Sequence, residues 1–391
     1  MKCRLESEPK KKVRILRIIA RMNLGGPAIQ ITGLFRQMNA NFFETQIVTG
    51  YCESNEIDFL DTQAQDVQVT RLIGLGRSIS VFSDLKSLIK LIRIINEFEP
   101  DIIHTHTAKA GVLGRIASLL SGKEAFRVHT FHGHLLYGYF SGWRLRAVIL
   151  LERILARFTH HFVAVGSNVR EDLLKVGIGS TKNFSVIYPG IVPIGSSDKS
   201  VARDKLKIDI DTFVLTFIGR LERIKRVDRL IDALALLDNE IENYLLIVAG
   251  DGSERQELEK KCGDLGIKVR FLGWQTDLKD LIYSADVSIH TSDNEGIPVS
   301  LIQSSFCGIP SISTRVGSVS DIVINEVTGL LCEKSPESVA KAILRMNSDE
   351  IKRKEMGLRA KEYAEEQFTL KNLVGKHESL YLDLFNKNLS N

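Results

Sequence analysis

Cysteine is scarce in this sequence, and what there is forms no pattern. Cys3, Cys52, Cys262, Cys307 and Cys332 are scattered, odd in number and without a C-x-x-C pair. That excludes a disulfide framework and a cysteine-built metal site, and it suits free thiols in a reducing cytoplasm. No apolar run approaches the roughly 18 residues that a membrane span needs. The opening MKCRLESEPKKKVR has charge but no apolar stretch before it, so no secretory signal is expected there. There is no G-x-G-x-x-G, which removes the specific expectation of dinucleotide binding. No dense basic run with interleaved aromatics is present either, so nucleic acid is not an expected partner.

What remains is an ordinary globular composition, 44% hydrophobic and 26% charged. At 391 residues the chain exceeds one typical core. Two domains are expected, over residues 1–195 and 196–391, joined near Gly195-Ser196-Ser197. The charge is divided unevenly. Residues 1–195 hold 25 Lys/Arg and 16 Asp/Glu, a net +9, and the remainder holds 27 and 32, a net −5. A basic first half suits an anionic membrane surface or a phosphorylated partner; a solvated basic surface explains it equally.

The strongest chemical signal lies in residues 288–317. Its first residues read as a buried strand, and the polar loop Ser292-Asp293-Asn294-Glu295-Gly296 follows. Pro298 suits a first helical turn, and a helix is expected over 299–306, stopped by Gly308 and Pro310. A strand over 311–314 comes next. One carboxylate, Glu295, thus precedes a helix N-terminus whose N–H groups favour an anion such as a phosphate. Gln303, eight positions on, lies on that helix and is a candidate for the same ligand.

Elsewhere strands and helices alternate, as in parallel α/β sheets, whose ligands bind past the carboxyl ends of the strands. A strand over 13–20 leads through Asn23-Leu24-Gly25-Gly26-Pro27 into a helix. Paired glycines let a backbone approach a ligand closely, although a plain tight turn is the default. A helix capped at Ser83 and running to Phe98 is expected to bury Leu85, Leu88, Ile89 and Ile92 as one stripe. Five of the nine histidines fall between His104 and His134, without a cysteine or carboxylate in ligand spacing for a metal. His104 and His129 suit structural hydrogen bonds at strand ends. His106, His132 and His134 sit past the strand ends, where a ligand is expected. Residues 137–158 are a basic amphipathic segment with Arg144, Arg146, Arg153 and Arg157 among aliphatics. Packing on a sheet is the commoner use of such a helix; lying on a membrane surface is the other.

In the second half, a strand over 213–218 ends in Gly219-Arg220-Leu221, with Lys225 ahead of a helix, and one over 244–249 ends in Gly250-Asp251-Gly252. Two cations on a glycine turn, opposite a second glycine turn, suit a diphosphate clamp. Sheets whose carboxyl edges share a cleft would bring these groups together with His132. The C-terminal helices, 337–385, carry no chemical feature, and the last is expected to pack back on the first domain.

The combination of Gly219-Arg220-Leu221 with Lys225, Gly250-Asp251-Gly252, FLGW at 271–274, SDNEGIPVSLIQ at 292–303, Val316-Gly317 and TGLL at 328–331 resembles retaining glycosyltransferases of family four. HTHTAKAG at 104–111 and TFHGH at 130–134 are similar to the first half of bacterial surface-polysaccharide members. The resemblance implies the GT-B fold, an α/β architecture of two Rossmann-like domains facing across a cleft. It implies transfer from a nucleotide-sugar, a UDP-sugar above all, to a lipid-linked or oligosaccharide acceptor, without a metal or other cofactor. On this sequence it places Glu295 at the donor sugar's hydroxyls and His132 near the reacting face. It places Arg220 and Lys225 at the leaving diphosphate, Gly25 and Gly26 at the phosphates, and Gly296 in the donor loop. His106 and His134 fall to the acceptor side. One position departs from the pattern: the second glutamate, which holds the ribose, is here Gln303, a neutral acceptor and so a weaker one. A cytoplasmic enzyme, in peripheral contact with the anionic inner membrane face, is the matching location. A sugar-nucleotide epimerase of the same fold and a non-catalytic sugar-nucleotide binder stay open as alternatives.

Overall fold

The computed structural model describes residues 11–54, 56–76, 78, 80–133, 142–238 and 240–389. They form two compact units: the chain up to Gly190 together with Leu370 onward, and Ile191–Thr369. The first unit alternates β1 (Val13–Ile19), α1 (Gly26–Gln37), β2 (Phe43–Thr49), α2 (Phe59–Thr62), β3 (Val69–Arg71), α3 (Val81–Phe98), β4 (Ile102–His106), α4 (Ala108–Leu120), β5 (Phe126–Phe131), α5 (Gly142–Ala156), β6 (His161–Ala164), α6 (Ser167–Lys175) and β7 (Phe184–Val186). The second holds α7 (Lys199–Lys205), β8 (Phe213–Ile218), α8 (Val227–Ala235), β9 (Tyr244–Ala249), α9 (Arg255–Asp264), β10 (Val269–Gly273), α10 (Lys279–Ser284), β11 (Val287–His290), α11 (Val299–Phe306), β12 (Ser311–Thr314), β13 (Gly329–Cys332), α12 (Pro336–Ser348) and α13 (Glu350–Gln367). The last helix, α14 (Leu370–Leu389), belongs to the first unit.

Both sheets are parallel and doubly wound. The seven-stranded sheet runs β3-β2-β1-β4-β5-β6-β7 and the six-stranded one β10-β9-β8-β11-β12-β13. The strand order reverses between β1 and β4 in the first and between β8 and β11 in the second. Those two switch points are where α/β sheets bind ligands, at the strands' carboxyl ends. Every residue of β8 and β9 is buried, because helices cover both faces of a parallel sheet. The period of two splits them: Phe213, Leu215 and Phe217 join α8 and α12 in one core, while Val214 and Ile218 join Leu281 and Ile282 of α10 in the other.

In the first unit, α14 packs Leu370, Leu373, Val374, Tyr381 and Leu384 against Val13, Ile15 and Leu34. Gly33 of α1 makes room for it: a Cβ there would fall 2.6 Å from Leu370 Cδ1. The boundary between units lies ahead of the serine-rich segment at 195–197. Ile191 is buried and its N–H donates to Phe368 O at 3.0 Å, and Ser197 Oγ donates to Asp280 of α10. Two expectations for α3 are corrected. The helix begins at Val81 with Ser80, not Ser83, in the N-cap position. Its buried residues are Ser87, Leu91 and Ile95, whereas Leu85 and Ile89 are 54% and 59% exposed.

Candidate functional site

At the second unit's switch point, β8 ends in Gly219 and Arg220, and β11 ends in His290 ahead of the loop holding Glu295. The two loops are tied together by their backbones. Asp293 N–H donates to Ile224 O at 2.9 Å, and Thr291 Oγ1 donates to Arg226 O at 2.8 Å. The buried Arg229 donates to Thr291 O at 2.6 Å and to Asp293 Oδ1 at 2.7 Å, and Arg226 adds a bond to Asp293 Oδ2 at 3.1 Å. Thr314 Oγ1, at the end of β12, holds Ser292 O at 2.6 Å.

This bracing positions a carboxylate–ammonium pair. Lys225 Nζ lies 2.5 Å from Glu295 Oε1, with the two side chains 17% and 10% exposed. Ser292 Oγ donates to the same Oε1 at 2.6 Å. His290 Nδ1 stands 3.9 Å away, too long for a hydrogen bond, and its Nε2 meets Ser300 Oγ at 3.0 Å. Burial opposes charge on Glu295, but the Lys225 ammonium, with His290 beside it, more than offsets this and holds the carboxyl well below its ordinary range. Glu295 is therefore an acceptor at any working pH, with Oε1 already committed inside the protein.

Arg220 stands in contrast. It is half-buried and has no hydrogen-bond or ion-pair partner among the described residues. Gln303 of α11 is likewise half-buried, and its side-chain amide has no partner among them. Gly296 is half-buried between Glu295 and the start of α11. The glycine turn at 250–252 has a different use from a ligand cradle. A Cβ at Gly250, whose φ is +145°, would fall 1.8 Å from Gly219 O, and one at Gly252 would fall 2.4 Å from Leu221 O. Both glycines let the β9 loop lie directly on the β8 loop, so they shape the Arg220 turn from behind.

The first unit gathers histidines at its own switch point. His106 Nδ1 and His132 Nε2 are 2.9 Å apart, so one proton is shared between two ring nitrogens. His106 stacks on His104 with ring centroids 4.2 Å apart. His104 bonds Tyr381 OH at 2.5 Å and Thr130 Oγ1 at 2.7 Å, and His129 bonds Thr105 Oγ1 at 2.8 Å. Burial depresses His132 to about 4 and His106 well below its ordinary value. Both rings are thus neutral near pH 7, and His132 Nδ1 and His106 Nε2 are buried without a partner among the described residues. Gly25 is extended at the N-cap of α1, where an added Cβ would meet nothing closer than Asn23 O at 3.9 Å. Gly26 is the first residue of the helix. His134 lies outside the described residues. Among those described, no group of three or more His, Cys, Asp or Glu is placed to hold a metal.

Sequence reasoning missed two contributors. His290 is the last residue of β11 at a switch point, as His106 is the buried last residue of β4 and not past its end as expected. The C-terminal helices do carry chemistry: His377 and Tyr381 of α14, one turn apart, flank His104 with ring centroids each 5.8 Å away.

Two family models match this chain. "Glycosyltransferase Family 4" covers residues 24–193 and "Glycosyl transferases group 1" covers residues 198–363. A curated relative from Escherichia coli, UDP-Gal:alpha-D-GlcNAc-diphosphoundecaprenol alpha-1,3-galactosyltransferase, is 28% identical over 84% of this chain and 86% of its own length. The capsular polysaccharide biosynthesis glycosyltransferase CapM of Staphylococcus aureus is 23% identical over 83% and 87%. Among solved structures, Anabaena HepE in complex with UDP and glucose superposes with a TM-score of 0.80 at 23% identity, over 94% of this chain and 99% of that one. At that identity the superposition speaks for the fold, which is GT-B.

Proposed function

Since this chain belongs to the retaining glycosyltransferases of family four, we propose that it moves a sugar from a UDP-sugar to a lipid-linked acceptor in the assembly of a surface polysaccharide. The observation that carries the reading is the pair of cations at the β8–β11 switch point: Lys225 held on Glu295 at 2.5 Å, and Arg220, five residues earlier, with no partner among the described residues. An uncommitted guanidinium at that place suits an anionic ligand that arrives with the substrate. The relatives named above support the donor and acceptor class, since the Escherichia coli protein is described by a UDP-sugar and a diphosphate-linked lipid.

In this reading, negative charge grows on the β-phosphate as the bond from the sugar's C1 to the phosphate oxygen breaks. Arg220, Lys225 and the first N–H groups of α11 stabilise it. Glu295, held ionised, accepts from hydroxyls of the donor sugar through the oxygen that Lys225 and Ser292 leave open. Gln303 accepts from the ribose as a neutral amide. The acceptor hydroxyl attacks from the face the leaving group departs, which retains configuration, and a phosphate oxygen takes its proton. Neutral His132, its Nδ1 without a partner among the described residues, orients the reacting sugar, and His106 fixes the His132 ring.

The test is nucleotide release from a panel of UDP- and GDP-sugars, with and without a polyprenyl-diphosphate-linked sugar, and proton NMR of the new linkage. Acceptor-dependent UDP release and a retained anomer are expected. Conversion of one sugar nucleotide to another without acceptor would make the chain an epimerase. Donor-stabilised melting with no transfer to any acceptor would make it a binder alone.

A further inference from the structure

One buried ring nitrogen at the β8–β11 switch point is used neither by the fold nor by sugar transfer as described. His290, the last residue of β11, is 1% exposed. Its Nε2 meets Ser300 Oγ of α11 at 3.0 Å. Its Nδ1 is buried without a partner among the described residues and stands 3.9 Å from Glu295 Oε1. Burial lowers the pKa of the ring and keeps it neutral near pH 7, so a single nitrogen carries the proton. A bare Nδ1 would set its lone pair beside a carboxylate. Ser300 Oγ–H, for its part, can donate to a bare Nε2. Both neighbours therefore favour the Nδ1–H tautomer. The result is an N–H on the Glu295 side, held about 1 Å beyond hydrogen-bond reach.

That place is vacant for His290 only as long as Lys225 fills it. Glu295 Oε1 already takes Lys225 Nζ at 2.5 Å and Ser292 Oγ at 2.6 Å. In sugar transfer the same ammonium must serve a second anion, because negative charge gathers on the β-phosphate and draws it there. Glu295 is 10% exposed, and a buried carboxylate that loses its cation is left at a large cost unless another donor takes over. Ser292 is already engaged. His290 is the remaining donor beside that oxygen among the described residues.

We propose that His290 is a positioning residue of the donor site: as a diphosphate draws Lys225 away, His290 Nδ1–H closes on Glu295 Oε1 and holds that carboxylate in place, with Ser300 fixing the tautomer. A neutral N–H is a weaker partner than an ammonium, so His290 supports Glu295 without replacing Lys225. The competing account is packing alone, since the His290 ring also lies on Phe217 with centroids 5.1 Å apart. The inference rests on the proposed function for the event that moves Lys225.

Three measurements on the full chain test it. Nitrogen NMR with labelled histidine should find His290 protonated on Nδ1 in the ligand-free protein; protonation on Nε2 overturns the proposal. Lys225→Met imitates the departure of the ammonium without any ligand. At pH 8, where Glu295 is ionised, His290→Phe should lower Tm by more in Lys225→Met than in wild type, and an equal drop in both overturns the exchange of partners. Calorimetry with UDP supplies the third. His290→Phe should weaken UDP binding about tenfold, the worth of a hydrogen bond to a charged group, but by less than about twofold in a Glu295→Gln background, where no carboxylate needs a partner. His290→Asn, whose amide N–H stands about where Nδ1–H does, should recover most of the affinity. Ser300→Ala leaves the ring untouched, so it serves if His290→Phe does not fold; it should lose part of the affinity, again only while Glu295 is present. Equal losses in the wild-type and Glu295→Gln backgrounds would make His290 a packing residue. Failure of wild type to bind UDP would sink the functional reading, while the tautomer and the Lys225→Met comparison still decide the exchange.

Discussion

Lys225→Met removes the ammonium from Glu295 and keeps the length of the side chain. Two consequences follow, and they have different signatures. The first is the loss of a cation from the developing phosphate charge, which costs about 3 kcal/mol, or roughly a hundredfold in kcat. The second concerns Glu295 itself. In the native pair burial is already the largest influence on that carboxyl, and it acts to raise its pKa; Lys225 at 2.5 Å, with His290 beside it, is what overrides burial. Breaking a buried pair costs about 3–5 kcal/mol, and about 3 kcal/mol corresponds to roughly two pKa units. The carboxyl should then titrate above its ordinary value. Wild-type kcat/KM should show no limb from Glu295 on the acid side, whereas Lys225→Met should acquire one. Stability should change sign with pH too. In wild type the depressed pKa gives stability that is present at neutral pH and lost only in strong acid. In the variant the raised pKa gives stability that is present at low pH and lost as pH rises through it. Lys225→Met should therefore be more destabilised at pH 8 than at pH 5, and adding Glu295→Gln should restore stability without restoring activity. A variant profile parallel to wild type and merely lower, with a pH-independent stability loss, would refute the coupling.

Arg220→Ala should lose about a hundredfold in kcat with Tm unchanged, because Arg220 has no partner among the described residues to orphan; a clear drop in Tm, or near wild-type turnover, would contradict that. Gln303→Glu should lower the donor KM with little effect on kcat, and Gln303→Ala should raise it, since a ribose contact persists from ground state to transition state; an unchanged KM in both, measured by donor titration, would make Gln303 a packing residue. The first unit should weaken as pH falls from about 6.5 toward 4. His132 is depressed to about 4 and His377 to about 3 by burial, so the unfolded chain takes up protons first, and each such histidine costs about 1.4 kcal/mol per pH unit in that window. Urea midpoints at pH 7.5 and 5.0 measure this, and equal midpoints would refute it.

The parts of the site that were legible in the sequence are those fixed by local chemistry. Pro298 and Gly308 bound α11 as Val299–Phe306, as their backbone preferences predict, and the largely apolar run of β8, broken only by Thr216, puts Arg220 past its end. The Lys225–Glu295 bond was not legible, since it joins residues 70 positions apart whose nearness depends on β8 and β11 being neighbours. The same holds for Tyr381 on His104, which needs α14 to return to the first sheet. The way up of the two surface helices was hidden for another reason. Helix α3 is apolar on more than one side, so periodicity cannot say which side meets the sheet. The choice is made by polar groups instead: Ser87 is buried with its Oγ on Ile73 O at 3.0 Å, and on α5 the buried side is marked by Glu152, engaged by Arg115. Each polar group has a partner only if its helix lies this way up, and a buried polar group left without one costs more than an exposed leucine does. Hydrogen bonding thus outweighs apolar burial in orienting both helices.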